Sequence, residues 1–214
     1  MNFEFKNDAG KPYAELFSKY GQILENELSG CMVLNYVSSH DDSGPFDSKR
    51  KRTREAGTKL LLTPGASQVY YGDETGRTLI VEGTNGDATL RSFMNWEELE
   101  ENIDINGVPV KEILEHWQKL GRFRKAHPAV GAGKNQMISE DPLLFSRVFT
   151  SESFSDKVII GLDLKPGKKI LDVSSVFSDG SRLLDYYSGE KLSVKKGKVV
   201  VDSQHDIVLL ELIN

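Results

Sequence analysis

In the stretch LNYVSSHDDSGPF, Leu34 to Phe46, an apolar run stops abruptly at His40, Asp41 and Asp42. An imidazole supplies a donor and an acceptor, and each carboxylate supplies two acceptor oxygens. Three such groups at a strand end look like the edge of an active site, yet the same residue types also close polar loops. A second acidic pair, Asp73 and Glu74 in GDETG, raises the same question. Taken alone, these residues leave chemistry and loop-capping both open.

The elements around them follow from periodicity. The run Cys31–Val37 reads as a strand that delivers His40 and Asp41. Before it, NFEF (Asn2–Phe5) alternates as a strand would, and Tyr13 to Leu28 carries helical spacing opened by Pro12. After it, Ser48 to Leu62 reads as a helix that stops before Pro64-Gly65, and SQVYY (Ser67–Tyr71) as a short strand ending at GDETG. This βαβαβ order implies parallel strands with crossover helices. A long polar excursion follows, then a helix from Pro109 with Val110, Ile113, Leu114, Trp117 and Leu120 on one face.

Past about Gly133 the texture changes. Short β-type runs (LLFSRVF, KVIIGLDL, KKILDVSSVF, SRLLDYY, KLSVKKGKVVV, DIVLLELI) succeed one another with no helix between them. They predict an antiparallel β-sandwich, with a hairpin turning at Lys196-Gly197. The division expected is therefore an α/β segment over residues 1–133 and an all-β domain over 134–214.

Composition narrows the classes. With 214 residues, 38% apolar and 28% charged, the chain is globular and long enough for a sizeable core. A net charge of −5 gives no reason to expect a nucleic-acid partner. The basic run KRKRTR, Lys49 to Arg54, reads as the solvated first half of a helix, with a localisation signal or an anion patch as the alternative. The single cysteine, Cys31, excludes an intramolecular disulfide and reads as a small buried hydrophobe. No stretch is apolar for long enough to span a membrane as a helix, and no signal-peptide pattern starts the sequence.

Three parallel strands make an awkward unit, because a parallel sheet is normally covered on both faces and its edges invite pairing. At this point four motifs resemble one family. LNYVSSHDD resembles the end of the seventh barrel strand in the alpha-amylase family of glycoside hydrolases, and LLTPGASQVYYGDETG its eighth-strand segment. DATLRSFMNW resembles the Asp…Arg…Met-x-Trp stretch that follows in several branches, and LGRFRKAHPAVGAG the last barrel helix. The resemblance runs in order through nearly the whole chain and implies the C-terminal part of a (β/α)8 barrel, about strands 6–8, followed by domain C.

That family acts on alpha-linked glucans with retention, which takes a nucleophile and an acid. The resemblance implies that Asp41 is a third, transition-state-stabilising carboxylate, with His40, Asp42 and Arg91 as substrate-binding residues. It makes Asp73 and Glu74 loop-structuring acids. For Arg91 both a salt bridge near the substrate mouth and contact to a distal sugar stay open, and a turn-forming Asp42 is the alternative to a binding one. Tyr70 and Tyr71 read as packing in the barrel, with lining its mouth as the alternative, and Trp96 and Trp117 fit packing better than sugar stacking. Ser39, Ser67 and Phe93 depart from the pattern, standing where the family often has Asn, Pro and Pro.

The nucleophile and acid have no counterpart in the motifs, so the expected chain is inactive by itself. Expected partners are an alpha-glucan, the missing N-terminal barrel half and further copies of the chain, but no membrane or nucleic acid. No cofactor or metal is expected here, calcium in the parent enzyme stays open, and so does a cytoplasmic or exported location. The rival classes are a non-catalytic carbohydrate-binding or interaction module, and an unrelated small α/β enzyme pairing Asp41 with Asp73 or Glu74.

Overall fold

The computed structural model describes residues 1–41 and 44–213, with Asp87 described by its backbone alone. Asp42 therefore lies outside the described residues. In chain order the elements are α1 (Phe5–Asp8), α2 (Tyr13–Glu25), β1 (Leu34–Asn35), α3 (Thr53–Leu62), β2 (Ala66–Ser67), α4 (Trp96–Glu101), β3 (Asp104–Ile105), β4 (Val108–Pro109), α5 (Val110–Ala126) and α6 (Pro128–Ala132). Eight strands complete it: β5 (Lys134–Glu140), β6 (Leu143–Thr150), β7 (Ser155–Leu162), β8 (Gly167–Asp172), β9 (Arg182–Asp185), β10 (Glu190–Ser193), β11 (Lys198–Ser203) and β12 (Val208–Leu212).

Two compact units emerge, and they do not follow a single cut. One comprises Met1–Pro12 with Met32–Arg122, the other Tyr13–Cys31 with Phe123–Asn214. The expected boundary after Gly133 does not coincide with these units.

In the first unit, Asn2 bridges Asn35 in parallel, and β1 pairs with β2 in parallel, Leu34 against Ala66 and Asn35 against Ser67. Three successive chain segments thus lie side by side, as the βαβαβ pattern predicts. Asn35, fully buried, ties the neighbours: its Oδ1 accepts from Asn2 Nδ2 at 2.9 Å and its Nδ2 donates to the Pro64 carbonyl at 3.1 Å. The strands are much shorter than expected. NFEF is not a strand beyond Asn2, since Phe5 opens α1 and buries its ring completely. Cys31 is exposed, against the expectation of a buried hydrophobe.

Helix α3 begins at Thr53, so Lys49–Arg52 precede it and only Thr53 and Arg54 of the basic run lie in its first turn; Arg50 is buried rather than solvated. Gly57 on this helix lets Trp117 of α5 come close, because a Cβ there would lie 2.9 Å from the indole. The indole N–H donates to the Thr53 carbonyl at 3.0 Å. Lys59, 3% exposed, donates to the carbonyls of Ala9 at 2.6 Å and Lys11 at 2.8 Å, which fixes the chain before α2.

In the second unit a six-stranded antiparallel sheet has the order β10-β9-β12-β7-β6-β5, and β8 with β11 forms a separate antiparallel ribbon. Leu171, Val173, Val199 and Val201 of the ribbon side share one core with Leu144, Ile159, Leu183, Val208 and Leu210 of the sheet. The period-2 burial along β11 puts alternate residues into this core. The sandwich is as expected, but β5 escapes the periodicity and the hairpin at Lys196-Gly197 is reduced to one bridge, Lys195 to Lys198. Beyond that turn, β10 pairs with β9 and β11 with β8, so the turn moves the chain from sheet to ribbon.

Helix α2 packs on β5 and β6: Phe17 meets Phe145 at 5.2 Å between ring centroids, and the Phe17 carbonyl accepts from Asn135 Nδ2 at 3.0 Å. His127, where α5 gives way to α6, presents Nδ1 to Asp156 at 2.9 Å and Nε2 to Glu211 at 2.5 Å. It joins that junction to β7 and β12.

Candidate functional site

The site is built by the loops that leave the two short parallel strands, all within the first unit. From β1 the chain stays buried through Tyr36, Val37, Ser38 and Ser39, then surfaces at His40 and Asp41. Phe46 N–H donates to the Val37 carbonyl at 2.9 Å and closes the loop. The Asp41 N–H donates to Ser39 Oγ at 3.3 Å.

The loop after β2 supplies the foundation. Gly72 adopts a positive φ of 84°, and any Cβ there would collide with the Arg77 side chain. Asp73 is 2% exposed; its Oδ2 accepts from Ser38 Oγ at 2.6 Å and its Oδ1 lies 2.8 Å from Arg50 Nη1. Burial pushes the Asp73 carboxyl above its ordinary value, with Arg50 and Ser38 pulling the other way. Arg50 Nε also donates to the Arg77 carbonyl at 2.7 Å. Asp73 thus ties three segments together inside the protein, the loop-structuring role expected of it, and is no partner for Asp41.

Arg77 laces the next segment to the same loop. Its Nε donates to the Tyr71 carbonyl at 3.0 Å, its Nη1 to the Ser92 carbonyl at 2.9 Å, and its guanidinium lies 4.0 Å from the Tyr71 ring centroid. The Tyr71 hydroxyl donates to the Ser92 carbonyl and the Tyr70 hydroxyl to the Leu90 carbonyl, both at 2.8 Å. Burial and the neighbouring Tyr71 hydroxyl hold the Tyr70 phenol above its ordinary value. Leu90 is buried with Tyr70 and Leu79, and the residue after it is Arg91.

These anchors bring His40, Asp41 and Arg91 together. His40 Nε2 lies 2.9 Å from Asp41 Oδ2, and Arg91 Nη2 lies 3.0 Å from Asp41 Oδ1. Tyr70 borders His40 at 6.3 Å between centroids. An ionised carboxylate has about four acceptor positions, so one donor on each oxygen still leaves room for ligand hydroxyls. The side chains are 53%, 60% and 49% exposed, so the clamp is open to solvent. Asp42 cannot be placed among them. No group of three or more His, Cys, Asp or Glu that could hold a metal ion occurs among the described residues.

Sequence reading missed the supporting cast, Ser38, Arg50 and Arg77. Arg77 follows GDETG directly and Ser38 precedes the His-Asp pair, but nothing in the sequence says that buried Asp73 joins Ser38 to Arg50, or that Arg50 reaches the Arg77 carbonyl. Trp117 packs as expected, 4% exposed; Trp96, expected to pack, is 66% exposed.

No family profile matches the chain. Over 167 residues, 75% of the chain, it is 35% identical to the periplasmic alpha-amylase of Escherichia coli (strain K12), of which it spans 22%. The fold matches an Anoxybacillus alpha-amylase at TM-score 0.62 and 19% identity, over 100% of this chain and 47% of that one. It matches AmyP, solved in complex with maltose, at TM-score 0.54 and 16% identity, over 91% of this chain and 43% of the other. The chain thus spans about a fifth of the curated relative and less than half of the solved structures. The resemblance carried by the four motifs extends to an aligned sequence and to the fold.

Proposed function

We infer that this chain, a relative of the alpha-amylase family of glycoside hydrolases, is the C-terminal portion of such an enzyme. In this reading it holds barrel strands of about the sixth to eighth positions and domain C, and acts on alpha-glucans such as starch or maltodextrin. The successive parallel pairing through Asn2, β1 and β2, followed by the antiparallel sandwich, supports that placement. The match to a periplasmic relative supports export of the parent.

The observation that carries the reading is the clamp on Asp41. Arg91 and His40 fix both carboxylate oxygens, so the group meets the substrate without having to reorganise. Neighbouring sugar hydroxyls donate to its free lone pairs, and those bonds strengthen as the ring flattens toward an oxocarbenium-like state. His40 Nε2 faces an acceptor and therefore carries the proton, leaving Nδ1 for a second contact. Asp41 alone cannot carry out a double displacement, which needs a nucleophile and an acid. The chain by itself binds and orients; the missing barrel half is its partner, and self-association is the alternative use of the same strand edges.

Calorimetric titration with maltotriose tests this. The chain binds it, Asp41→Ala weakens binding about tenfold, a loss of roughly 1.4 kcal/mol, and no reducing ends appear from maltoheptaose. Hydrolysis by the purified chain would by itself overturn the reading in favour of a self-sufficient enzyme.

A further inference from the structure

Ile170 and Val200 are 60% and 45% exposed, although both stand in the middle of regular strands, β8 and β11. They lie directly opposite each other in the ribbon. Leu171, Val199 and Val201 enter the sandwich core, so strand alternation turns Ile170 and Val200 to solvent. Two positions away on the same face, Lys168 stands opposite Asp202 and Asp172 opposite Lys198, all four exposed. The two strands spell this face alike, KKILD over Lys168–Asp172 and KVVVD over Lys198–Asp202. Antiparallel pairing therefore gives the ribbon a local two-fold, with an apolar pair at its centre and Lys and Asp alternating around it. Cross-strand attraction accounts for the charges. It does not account for two branched apolar side chains left open between them. Ile170 also lines a hollow of about 340 Å³ with Pro142, Leu143 and Leu164, which extends the apolar surface beyond the ribbon.

We propose that this face docks a second copy of the chain, ribbon against ribbon, about a two-fold axis lying in the plane of contact. Rotation about such an axis lays each Lys of one copy over an Asp of the other, whether the axis runs along the strands or across them. In both cases the Ile170–Val200 pair meets its own counterpart at the centre. The two Lys and two Asp cancel, so the face has no one-signed patch for a nucleic acid or an anionic lipid surface. None of its side chains is aromatic, so it offers no platform for a sugar ring. An unrelated protein would have to carry the same alternating pattern; a second copy has it by construction. The contact is small, so the dimer is weak and forms as concentration rises. It uses no residue of the clamp at Asp41 and no parallel strand edge, and it does not depend on the glucan reading.

Sedimentation equilibrium of the full chain over a dilution series tests this. The average mass rises with concentration from 23.9 kDa toward twice that value. Ile170→Thr together with Val200→Thr keeps β-branched residues in both strands and raises the concentration needed by about tenfold. Lys168→Asp with Lys198→Asp makes the face wholly acidic, and Asp172→Lys with Asp202→Lys makes it wholly basic. Each of these variants stays monomeric alone, and mixing the two restores association. Asp172→Lys also removes the 2.6 Å bond from Ser174 Oγ, whereas the Thr pair leaves every hydrogen bond of the ribbon in place and decides the matter independently. A mass that stays at 23.9 kDa across the series overturns the proposal. So does association that the Thr pair leaves unchanged, which would assign it to the parallel strand edges instead.

Discussion

Arg91 Nη2 sits 3.0 Å from Asp41 Oδ1 across fifty positions of chain, at a solvent-open place where such pairs contribute little stability. Its value is in aim. Arg91→Lys replaces a planar fork with a flexible ammonium. Thermal stability is expected to change by less than about 1 kcal/mol, while maltotriose affinity falls about tenfold by calorimetry. A parallel loss of both would mean that the pair is structural.

Asp73 is the opposite case. Asp73→Asn leaves the buried guanidinium of Arg50 without its counter-charge, so unfolding free energy should drop by about 3–5 kcal/mol. Asp41→Asn, at an exposed position, should change it by less than about 1 kcal/mol. Urea denaturation of the two variants side by side measures the contrast.

Glu55 gives a pH signature. Burial raises its carboxyl, but bonds and charge from Arg52 and Lys59 outweigh that and leave it below the ordinary value of 4.5. A depressed carboxyl stabilises the fold above its unfolded value, and that contribution is lost as pH falls through the folded one. Glu55→Gln should cost about 0.5 kcal/mol at neutral pH, solvent screening keeping it small. The gap to the parent should close below pH 4.5 in acid titrations of stability.

The contact at Gly57 predicts a sign opposite to helix propensity. Alanine in a helix is better than glycine by about 1 kcal/mol, yet its Cβ would lie 2.9 Å from the buried Trp117 ring. Because the indole is also tied to the Thr53 carbonyl, overpacking of about 1–3 kcal/mol prevails. Gly57→Ala should lower the melting temperature and shift Trp117 emission.

Sequence periodicity disclosed the long amphipathic elements well. The Tyr13 helix, the Val110 helix and the alternating strands of the sandwich each bury a face that their spacing announces. It overstated the parallel strands: in the apolar run Cys31–Val37 the first two residues are exposed, Tyr36 and Val37 are buried by loop packing rather than by a ladder, and only Leu34–Asn35 pairs. At the site, residue types announced His40 and Asp41. The ties that position them, Ser38 to Asp73, Asp73 to Arg50 and Arg77 to Ser92, join positions far apart in the chain and have no local signature. Trp96 misled for a related reason: the Met-x-Trp spacing says nothing about which way the ring faces.

Helix α2 counts with the sandwich although the first unit supplies the chain on both its sides. During synthesis the second unit therefore cannot finish until its last strand has left the ribosome, while α2 emerges early and must wait with the apolar Leu16 and Phe17 uncovered. The β-rich tail is likewise no cassette that recombination could transplant by a single crossover. Any exchange at Gly133 would leave behind the helix on which β5 and β6 close.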